Sequence, residues 1–427
     1  MTRVVLVRHA QSSWNVRGLI QGRSDHSVLS EQGQEQALAT AQFLRDLPFD
    51  SAWSSPLMRA RQTTQAIVAA HPGLTIQTSP LLQEIHLPAW EGLTMAQVAE
   101  RFPEQHRHWQ ETPEQLELDH RHPVVDLWEQ ASHFWQELLT HEQGKSILIV
   151  GHNGINKALL ATALGLPPSH YTALLQSNGG VSVLNFDASG YAQLESMNLT
   201  AHTGQVLPAY KRAARLLLVR HGETDWNREE RFQGQIDVPL NAQGQLQAER
   251  VAEFLQQVPI ERAFSSPLLR PKATALQILG YHPQVELQLV PDLQEICHGQ
   301  WEGKFRAEVE ALFPGMLDQW SKTPHQVQMP EGENLAQVWE RSLATWRGIV
   351  EQTKAVSLVV AHDAINKAVI SGTLGLGPEE FWRFRQGNGS VTVIDYPQGV
   401  HGQARLSAMN ITSHLGGVLD CTAAGAL

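Results

Sequence analysis

The sequence predicts an α/β protein made of two tandem three-layer α/β/α domains, each built on a mostly parallel sheet. The first observation is the length, since 427 residues are enough for two domains that each bury a core. The second is an internal repeat, because motifs of the first half of the chain recur in the second half. The third is the alternation of short apolar runs with amphipathic helical patterns, which favours parallel strands joined by helices.

The repeat consists of motifs that return in the same order. LVRHAQSSWN, which begins at Leu6, returns as LVRHGETDWN at Leu218, 212 residues later (218 − 6). SSPLMR and GHNGINKALL return as SSPLLR and AHDAINKAVI at nearly the same spacing. Chance does not hold several motifs to one spacing, so we predict two copies of one domain, over residues 1–205 and 213–420. The mixed, proline-containing stretch Gly204–Arg215 is the predicted joint.

Short apolar runs mark the predicted strands. They lack the alternation of a half-exposed strand, which is typical of strands buried on both faces of a sheet. The helical patterns between them carry start signals, because Ser30 can cap one helix and Ser55 followed by Pro56 can open another. The strands are predicted over Val4–Val7, Ser146–Val150, Leu216–Val219 and Ser357–Val360, and the helices over Glu31–Leu44, Pro56–Ala69, Val124–Leu139 and Asn153–Leu164.

Polar side chains follow the predicted strands at their carboxyl ends. In open α/β sheets, ligands bind beyond those ends. Each copy places two histidines and an arginine there: Arg8, His9 and His152 in copy one, and Arg220, His221 and His362 in copy two.

This set of side chains suits the transfer of a phosphoryl group. A neutral imidazole is a competent nucleophile toward phosphorus near neutral pH and would form a phosphohistidine. The transferred group carries negative charge on three oxygens, which the planar, bidentate guanidinium group of arginine matches. The leaving alkoxide then needs a proton from a carboxylic acid. The candidates are the nucleophiles His9 and His221, the phosphate ligands Arg8, Asn15, Arg59 and His152 with Arg220, Asn227, Arg270 and His362, and the acids Glu84 and Glu295.

Each candidate alone has an ordinary structural explanation. A histidine at a strand end is more often a hydrogen-bond donor that holds a loop, and an arginine on a helix is more often a solvated charge. The catalytic interpretation depends on joint recurrence, because both copies carry the same residue types in the same order.

Composition argues against several other classes of function. The net charge of −11 and the lack of a basic tract argue against a nucleic-acid partner, so an anionic substrate must be attracted by a local group of cations. Cys297 and Cys421 offer neither a disulfide framework nor metal-ligand spacing, and no helical His-x-x-x-His pair stands near a glutamate. We therefore expect no metal and no cofactor. No segment has the pattern of a signal peptide or a membrane span, which predicts a cytoplasmic protein without a membrane partner and leaves its oligomeric state open.

RHGETDWN, SSPLLR, LQEI followed by WEG, and the later strand-end histidine resemble the histidine phosphatase superfamily, in its phosphoglycerate-mutase-like branch. The resemblance covers nearly the whole chain, twice. It implies phosphate transfer through His9 and His221, phosphate binding by the arginines and second histidines, and proton donation by the two glutamates. Copy one departs from the pattern at Ala10 and Gln11, where the family usually has glycine and glutamate. No candidate phosphate ligand is lost in either copy, so both are expected to bind phosphate.

The tandem layout resembles a plant branch of the same superfamily, which implies a small sugar phosphate such as 2-carboxy-D-arabinitol 1-phosphate as the substrate. Copy one carries His120, Arg121 and His122 where copy two carries Glu331 and Glu333, so we hypothesise that the three basic residues bind a substrate carboxylate. Two other functions stay open: a phosphoglycerate mutase, and a phospholigand-binding protein with one inactive copy. No clear insertion follows either candidate acid to shield a mutase intermediate from water.

Overall fold

The computed structural model describes residues 1–209 and 214–423, and its contacts divide the chain into two units, Met1–Pro208 and Ala209–Leu427. The predicted joint, Gly204–Arg215, lies partly outside the described residues. Each unit is an α/β domain with a mostly parallel sheet and helices on both faces, which confirms the predicted fold class. Among the described residues, no helix combines the length and the apolar character that crossing a membrane requires.

In unit one, a parallel sheet is extended on one side by antiparallel strands. Its strands are β1 (Thr2–Arg8), β2 (Ser51–Ser54), β3 (Ile76–Thr78), β4 (Ser146–Gly151), β5 (Val181–Phe186) and β6 (Ala192–Leu199). Their order is β3-β2-β4-β1-β5-β6, with parallel pairs from β3 to β1 and antiparallel pairs from β1 to β6. Its helices are α1 (Ser13–Val16), α2 (Glu31–Leu44), α3 (Met58–Val68), α4 (Met95–Arg101), α5 (Pro103–Glu111), α6 (Pro123–His141) and α7 (Asn153–Ala163).

Unit two repeats this arrangement. Its strands are β7 (Ala214–Arg220), β8 (Ile260–Ser265), β9 (Leu287–Leu289), β10 (Val356–Ala361), β11 (Val391–Tyr396) and β12 (Arg405–Ile411). Their order is β12-β11-β7-β10-β8-β9, with β7, β8, β9 and β10 paired in parallel. Its helices are α8 (Asp225–Arg228), α9 (Ala242–Leu255), α10 (Leu269–Leu279), α11 (Arg306–Leu312), α12 (Met316–Lys322), α13 (Leu335–Gln352) and α14 (Asp363–Thr373).

The predicted helices are present, with shifted ends where tertiary contacts compete with local signals. Helix α2 has the predicted bounds, and the Oγ of its cap, Ser30, accepts the N–H of Gly33 at 3.0 Å. Helix α3 begins two residues after the predicted Pro56, so Ser55 is not its cap. The Oγ of Ser55 lies instead 2.7 Å from Nε2 of His152. The predicted 124–139 and 153–164 are found as Pro123–His141 and Asn153–Ala163.

The register of the central strands brings the candidate residues together. Strands β1 and β4 are parallel neighbours in which Arg8 is paired with Gly151, so both chains leave the sheet at the same edge. In unit two, Arg220 of β7 is paired with Ala361 of β10 in the same way. The side chain that follows each strand therefore lies at the edge where parallel sheets bind ligands.

Candidate active site

The end of β1 places His9 in a buried pocket, with 2% of its surface exposed. Its Nδ1 lies 2.8 Å from the carbonyl oxygen of Ala10, which assigns the proton to Nδ1 and leaves the lone pair on Nε2. His221 repeats the contact with Gly222 at 2.7 Å. Burial, and then the neighbouring arginines, lower the pKa of both imidazoles well below their ordinary value. Both rings are therefore neutral at physiological pH.

A second histidine lies beside the first. His152, fully buried after β4, has its ring centroid 5.1 Å from that of His9. Its Nε2 contacts the Oγ of Ser55 at 2.7 Å, whereas its Nδ1 has no partner within residues 1–209 and 214–423. A serine hydroxyl that donates to Nε2 leaves Nδ1 protonated and available to a ligand. Unit two repeats the arrangement with His362 and Ser266, which are 2.9 Å apart.

Neutral carbonyl groups hold the two arginines of unit one, in an arrangement that we call the carbonyl clamp. Arg8 donates from Nη1 to the carbonyl oxygen of Gln176 at 2.6 Å. Arg59, fully buried, donates to the carbonyl oxygens of Ser24 at 2.8 Å and Gly22 at 2.9 Å. In the part of the chain that is described, neither forms an ion pair and the Nε of each lacks a partner. Burial lowers the pKa of Arg8 to about 10, so both guanidinium groups keep their charge at neutral pH.

Unit two repeats the clamp around Arg270. This guanidinium donates to the carbonyl oxygens of Gly234 at 2.7 Å and Ile236 at 3.1 Å. Its Nε also donates to Nε2 of His221 at 3.3 Å, a contact that requires an unprotonated Nε2. The geometry of both units thus places an unprotonated Nε2 next to a fixed positive charge; in unit two this Nε2 accepts a hydrogen bond from Arg270.

The two glutamates lie at the N-termini of α7 and α14. Both oxygens of Glu84 accept backbone N–H groups there, from Gly154 at 3.1 Å and Ile155 at 3.2 Å. Glu295 accepts the N–H of Ala364 at 3.2 Å with Oε1, and its Oε2 makes no hydrogen bond to the described residues. Glu295 therefore has a free oxygen on which to carry a proton.

The two sites differ in charge at one position, where unit two has Asp363 and unit one has Asn153. The buried carboxylate of Asp363 lies 2.6 Å from Nζ of Lys367 and 3.6 Å from Nη1 of Arg220. Burial, and then the negative charge of Asp363, raise the pKa of Glu295 to about 7. A substantial fraction of Glu295 is consequently protonated at neutral pH.

The asparagines after the first histidines have their amide groups oriented by the surrounding loop. The Oδ1 of Asn15 accepts from the backbone N–H of Ser12 at 3.0 Å and from Nδ2 of Asn178 at 3.1 Å. Asn227 accepts likewise from the backbone N–H of Thr224 at 3.1 Å. Since the oxygens are occupied, the NH2 groups remain as donors for a ligand.

The predicted side chains come together in each unit. In unit two, His362 contacts His221 through ring centroids 5.1 Å apart. Within the described ranges, no three side chains of His, Cys, Asp or Glu are grouped as metal ligands. One pocket of unit two is lined by Arg220, His221, Asn227, Arg270 and Glu295.

Sequence reasoning missed the residues that hold the predicted ones in place. Ser55 contacts the second histidine, and Oγ1 of Thr63 accepts the N–H of Ala10 at 3.1 Å. Gly22, at φ +48°, supplies a clamp carbonyl in a turn where a Cβ would lie 2.4 Å from Oε1 of Glu91. All of these residues recur in the second copy, so a comparison of the two copies could have identified them from the sequence.

The structure separates the three basic residues that the sequence placed together. A turn exposes the ring of His120 almost completely, and Nδ1 of His122 lies 3.2 Å from the carbonyl oxygen of Leu116. Arg121 forms an ion pair with Asp126 at 2.8 Å. These residues do not form one carboxylate site, because their adjacency in the chain is not adjacency around the pocket.

Comparisons with known proteins agree on one family. A family model described as the histidine phosphatase superfamily (branch 1) matches residues 4–200 and again residues 216–412. The 2-carboxy-D-arabinitol-1-phosphatase of Triticum aestivum is 31% identical over 97% of this chain and 86% of its own length. A probable 2-carboxy-D-arabinitol-1-phosphatase of Arabidopsis thaliana is 32% identical over 97% of this chain and 88% of its own. Among solved structures, Bacillus stearothermophilus YhfR aligns with a TM-score of 0.45 and 29% identity, over 48% of this chain and 100% of that chain.

Proposed function

The chain belongs to the histidine phosphatase superfamily and is a phosphatase, and on this premise we propose that it hydrolyses phosphomonoesters through a phosphohistidine formed on His9 and on His221. One observation carries the proposal. Each unit holds a neutral imidazole with an unprotonated Nε2 beside a second histidine and two buried guanidinium groups. This is the set of groups that in-line attack on a phosphoryl group requires.

The proposed reaction has two steps, described here for unit one. Nε2 of His9 forms a bond to phosphorus while the bond from phosphorus to the ester oxygen breaks. Arg8 and Arg59 neutralise the charge on the transferred oxygens, and Glu84 gives its proton to the leaving alcohol. Water then attacks phosphorus, Glu84 takes up a proton from it, and the phosphorus–nitrogen bond breaks. The products are one alcohol and one inorganic phosphate, and Nε2 is free again.

For the substrate we propose a small sugar phosphate such as 2-carboxy-D-arabinitol 1-phosphate. The support comes from two plant relatives named for that activity, which align over 97% of this chain and therefore over both units. These alignments therefore include the tandem arrangement itself. Phosphoserine phosphatase 1 of Hydrogenobacter thermophilus, at 33% identity, aligns with only 47% of this chain, which is about one unit.

The test uses the full chain with His9→Ala, His221→Ala and both substitutions together. After a pulse of substrate, mass spectrometry locates phosphohistidine in each unit, and free phosphate is measured in parallel. Each single variant should lose the label in its own unit only, and the double variant should release no phosphate. Hydrolysis by the double variant would overturn the assigned nucleophiles. Formation of 2-phosphoglycerate from 3-phosphoglycerate faster than phosphate release would overturn the phosphatase assignment in favour of a mutase.

A further inference from the structure

We propose that Asp420 and Thr422 are positioning residues for the active site of unit two, and that unit one supports the same part of its site in another way. Both belong to residues 418–422, which we call the latch. The latch contacts residues 385–388, which we call the site loop, and the site loop holds the candidate nucleophile His221. The inference rests on the proposed function, because it takes phosphoryl transfer on His221 as given. It predicts that turnover in unit two depends on the latch and that turnover in unit one does not.

The site loop contacts three groups of the candidate site. The carbonyl oxygen of Gln386 accepts a hydrogen bond from Nη1 of Arg220 at 2.5 Å. The buried side chain of Asn388 donates from Nδ2 to the carbonyl oxygen of His221 at 3.1 Å and to Oδ1 of Asn227 at 3.4 Å. A shift of the site loop would therefore move the candidate nucleophile and two phosphate ligands, and small misplacements of reacting groups lower rates strongly.

Asp420 is the charged residue of the latch. Its carboxylate, with 1% of the side chain exposed, forms an ion pair with Arg385 of the site loop, whose Nε donates to Oδ2 at 2.9 Å. The Nη2 of Arg385 also donates to the backbone carbonyl oxygen of Asp420 at 3.2 Å. Burial alone would raise the pKa of Asp420, but the charge of Arg385 and the hydrogen bonds of Thr422 outweigh burial and lower the pKa. The carboxylate is therefore ionised at neutral pH, and its hydrogen bond to the site loop is a charged one.

Thr422 connects the latch to the residue that holds the nucleophile. Its Oγ1 accepts the backbone N–H of Asn388 at 3.0 Å and donates to Oδ1 of Asp420 at 2.7 Å. Its backbone N–H donates to the same Oδ1 at 3.0 Å. Asp420 thus orients the hydroxyl group that holds the backbone of Asn388. Hydrogen bonds link the carboxylate of Asp420 to His221 through Thr422 and Asn388.

Gly387 leaves room for the latch. A Cβ at this position would lie 2.6 Å from Oδ1 of Asp420 and 2.7 Å from Oγ1 of Thr422. The backbone N–H of Gly387 donates to Oδ1 of Asn410 at 2.7 Å, and Nδ2 of Asn410 donates to Oδ2 of Asp420 at 3.4 Å. A side chain at position 387 would therefore displace the latch, so the site loop and the latch fit each other.

Unit one keeps the loop contact to its nucleophile and changes the support. Asn178 donates from Nδ2 to the carbonyl oxygen of His9 at 3.0 Å, as its counterpart does in unit two. At the position of Gly387, unit one has Ser177. The backbone N–H of Ser177 donates to Oδ1 of Asn198 at 2.8 Å, and Nδ2 of Asn198 donates to Oγ of Ser177 at 3.2 Å. The serine hydroxyl thus accepts the amide that the carboxylate of the latch accepts in unit two.

The test uses the full chain with His9→Ala, so that unit two alone turns over. Asp420→Ala should lower kcat for an alkyl phosphate by about tenfold, with a smaller change in KM, because the site loop loses a charged contact. In the His221→Ala chain, the same substitution should leave the kcat of unit one within about twofold. Asp395→Ala is the matched control. It removes a carboxylate paired with Arg215 at 2.7 Å, near the start of β7 and remote from the site, and should lower the melting temperature without lowering kcat.

A milder variant and a rescue separate positioning from general stability. Thr422→Val removes only the hydroxyl contact and should lower kcat by about threefold, which keeps the test open if Asp420→Ala fails to fold. In the Asp420→Ala chain, Arg385→Leu together with Gly387→Ser gives unit two the residues that unit one has at these positions. The new serine hydroxyl can accept from Asn410, so kcat should recover by about threefold or more.

Hydrogen exchange measures the site loop without turnover. The backbone N–H groups of Gly387 and Asn388 should exchange about tenfold faster in the Asp420→Ala chain than in the Asp395→Ala chain. In the parent chain, orthophosphate should slow exchange at the backbone N–H of Thr422. By linkage, a ligand that orders the site loop must also stabilise the latch.

Three results would overturn the inference. An unchanged kcat of unit two in both Asp420→Ala and Thr422→Val would mean that the latch supports nothing at the site. An equal fall of kcat in the Asp395→Ala chain would mean that the effect is general destabilisation, and an equal fall in unit one would remove the division between the units. If the proposed function fails instead, neither unit releases phosphate from any ester. The exchange experiment then still decides, and equal exchange rates of the site loop in the two alanine variants would refute the latch.

Discussion

The pH dependence of unit two should follow the protonation of Glu295. The pKa of this carboxyl is raised to about 7 from an ordinary value of 4.5. At pH 8, a group with a pKa of about 7 is protonated in about one molecule in ten, whereas a group with the ordinary pKa is protonated in about one in three thousand. The raised pKa therefore supplies roughly 300 times more of the proton donor at that pH. If Glu295 protonates the leaving group, turnover must fall as the pH rises through about 7.

Asp363→Asn gives unit two the residue that unit one has at this position. The substitution removes the charge that raises the pKa of Glu295 after burial, so the fall in turnover should move to lower pH. A pKa lowered by one unit would give a rate about tenfold lower at pH 8, with little change at about pH 5.5. The direction is set by the charge, because an ionised Asp363 disfavours the carboxylate form of its neighbour.

The assay is the kcat of the His9→Ala chain, with and without Asp363→Asn, from about pH 5.5 to about pH 8.5. An alkyl phosphate should show the alkaline fall, and p-nitrophenyl phosphate should not, because its leaving group needs no proton. Circular dichroism controls for the loss of the ion pair with Lys367. An alkaline fall that is the same for both esters, or that Asp363→Asn does not move, would refute the assignment of Glu295 as the proton donor.

Other predictions concern support, packing and metal dependence. Ser55→Ala should lower the kcat of unit one by about ten- to a hundredfold with little change in folding, because His152 loses the contact that orients its ring; rates equal to the parent would contradict this. Gly33→Ala should lower the free energy of unfolding by about 1–3 kcal/mol in urea titrations, since a Cβ there would lie 1.8 Å from the carbonyl oxygen of Gln11. Gly348→Ala, where a Cβ meets open space, is the control and should stabilise its helix by up to about 1 kcal/mol. Treatment with a chelator should leave phosphate release intact, and a loss that zinc or magnesium restores would oppose the metal-independent mechanism.

The sequence predicted the parts of the fold that depend on local signals. Helix α2 begins after Ser30 as predicted, because the cap and the apolar period both lie within that segment. Helix α3 begins later than predicted, because Ser55 contacts a histidine 97 residues away instead of capping the helix. A cap signal is local, whereas the competing hydrogen bond depends on the whole fold.

The residues of the candidate site were likewise predictable from the sequence only in part. Histidines at strand ends were predictable, because parallel strands bring their carboxyl ends to one edge. The groups that hold them were not, since Arg8 is fixed by a carbonyl 168 residues along the chain, at Gln176. The basic stretch around Arg121 was interpreted through adjacency in sequence, whereas in the fold Arg121 forms an ion pair with Asp126. No hydrophobic period or sequence motif indicates which distant segments of the chain come into contact after folding.

The carbonyl clamp has a consequence for the resting protein. Peptide dipoles hold Arg8 and Arg59 in place without an ion pair, so an oxyanion that binds in unit one relieves the repulsion between these two charges. Orthophosphate, the released product, is such an oxyanion. Because phosphate relieves this repulsion, the protein should retain its product tightly, and its melting temperature should rise with phosphate concentration.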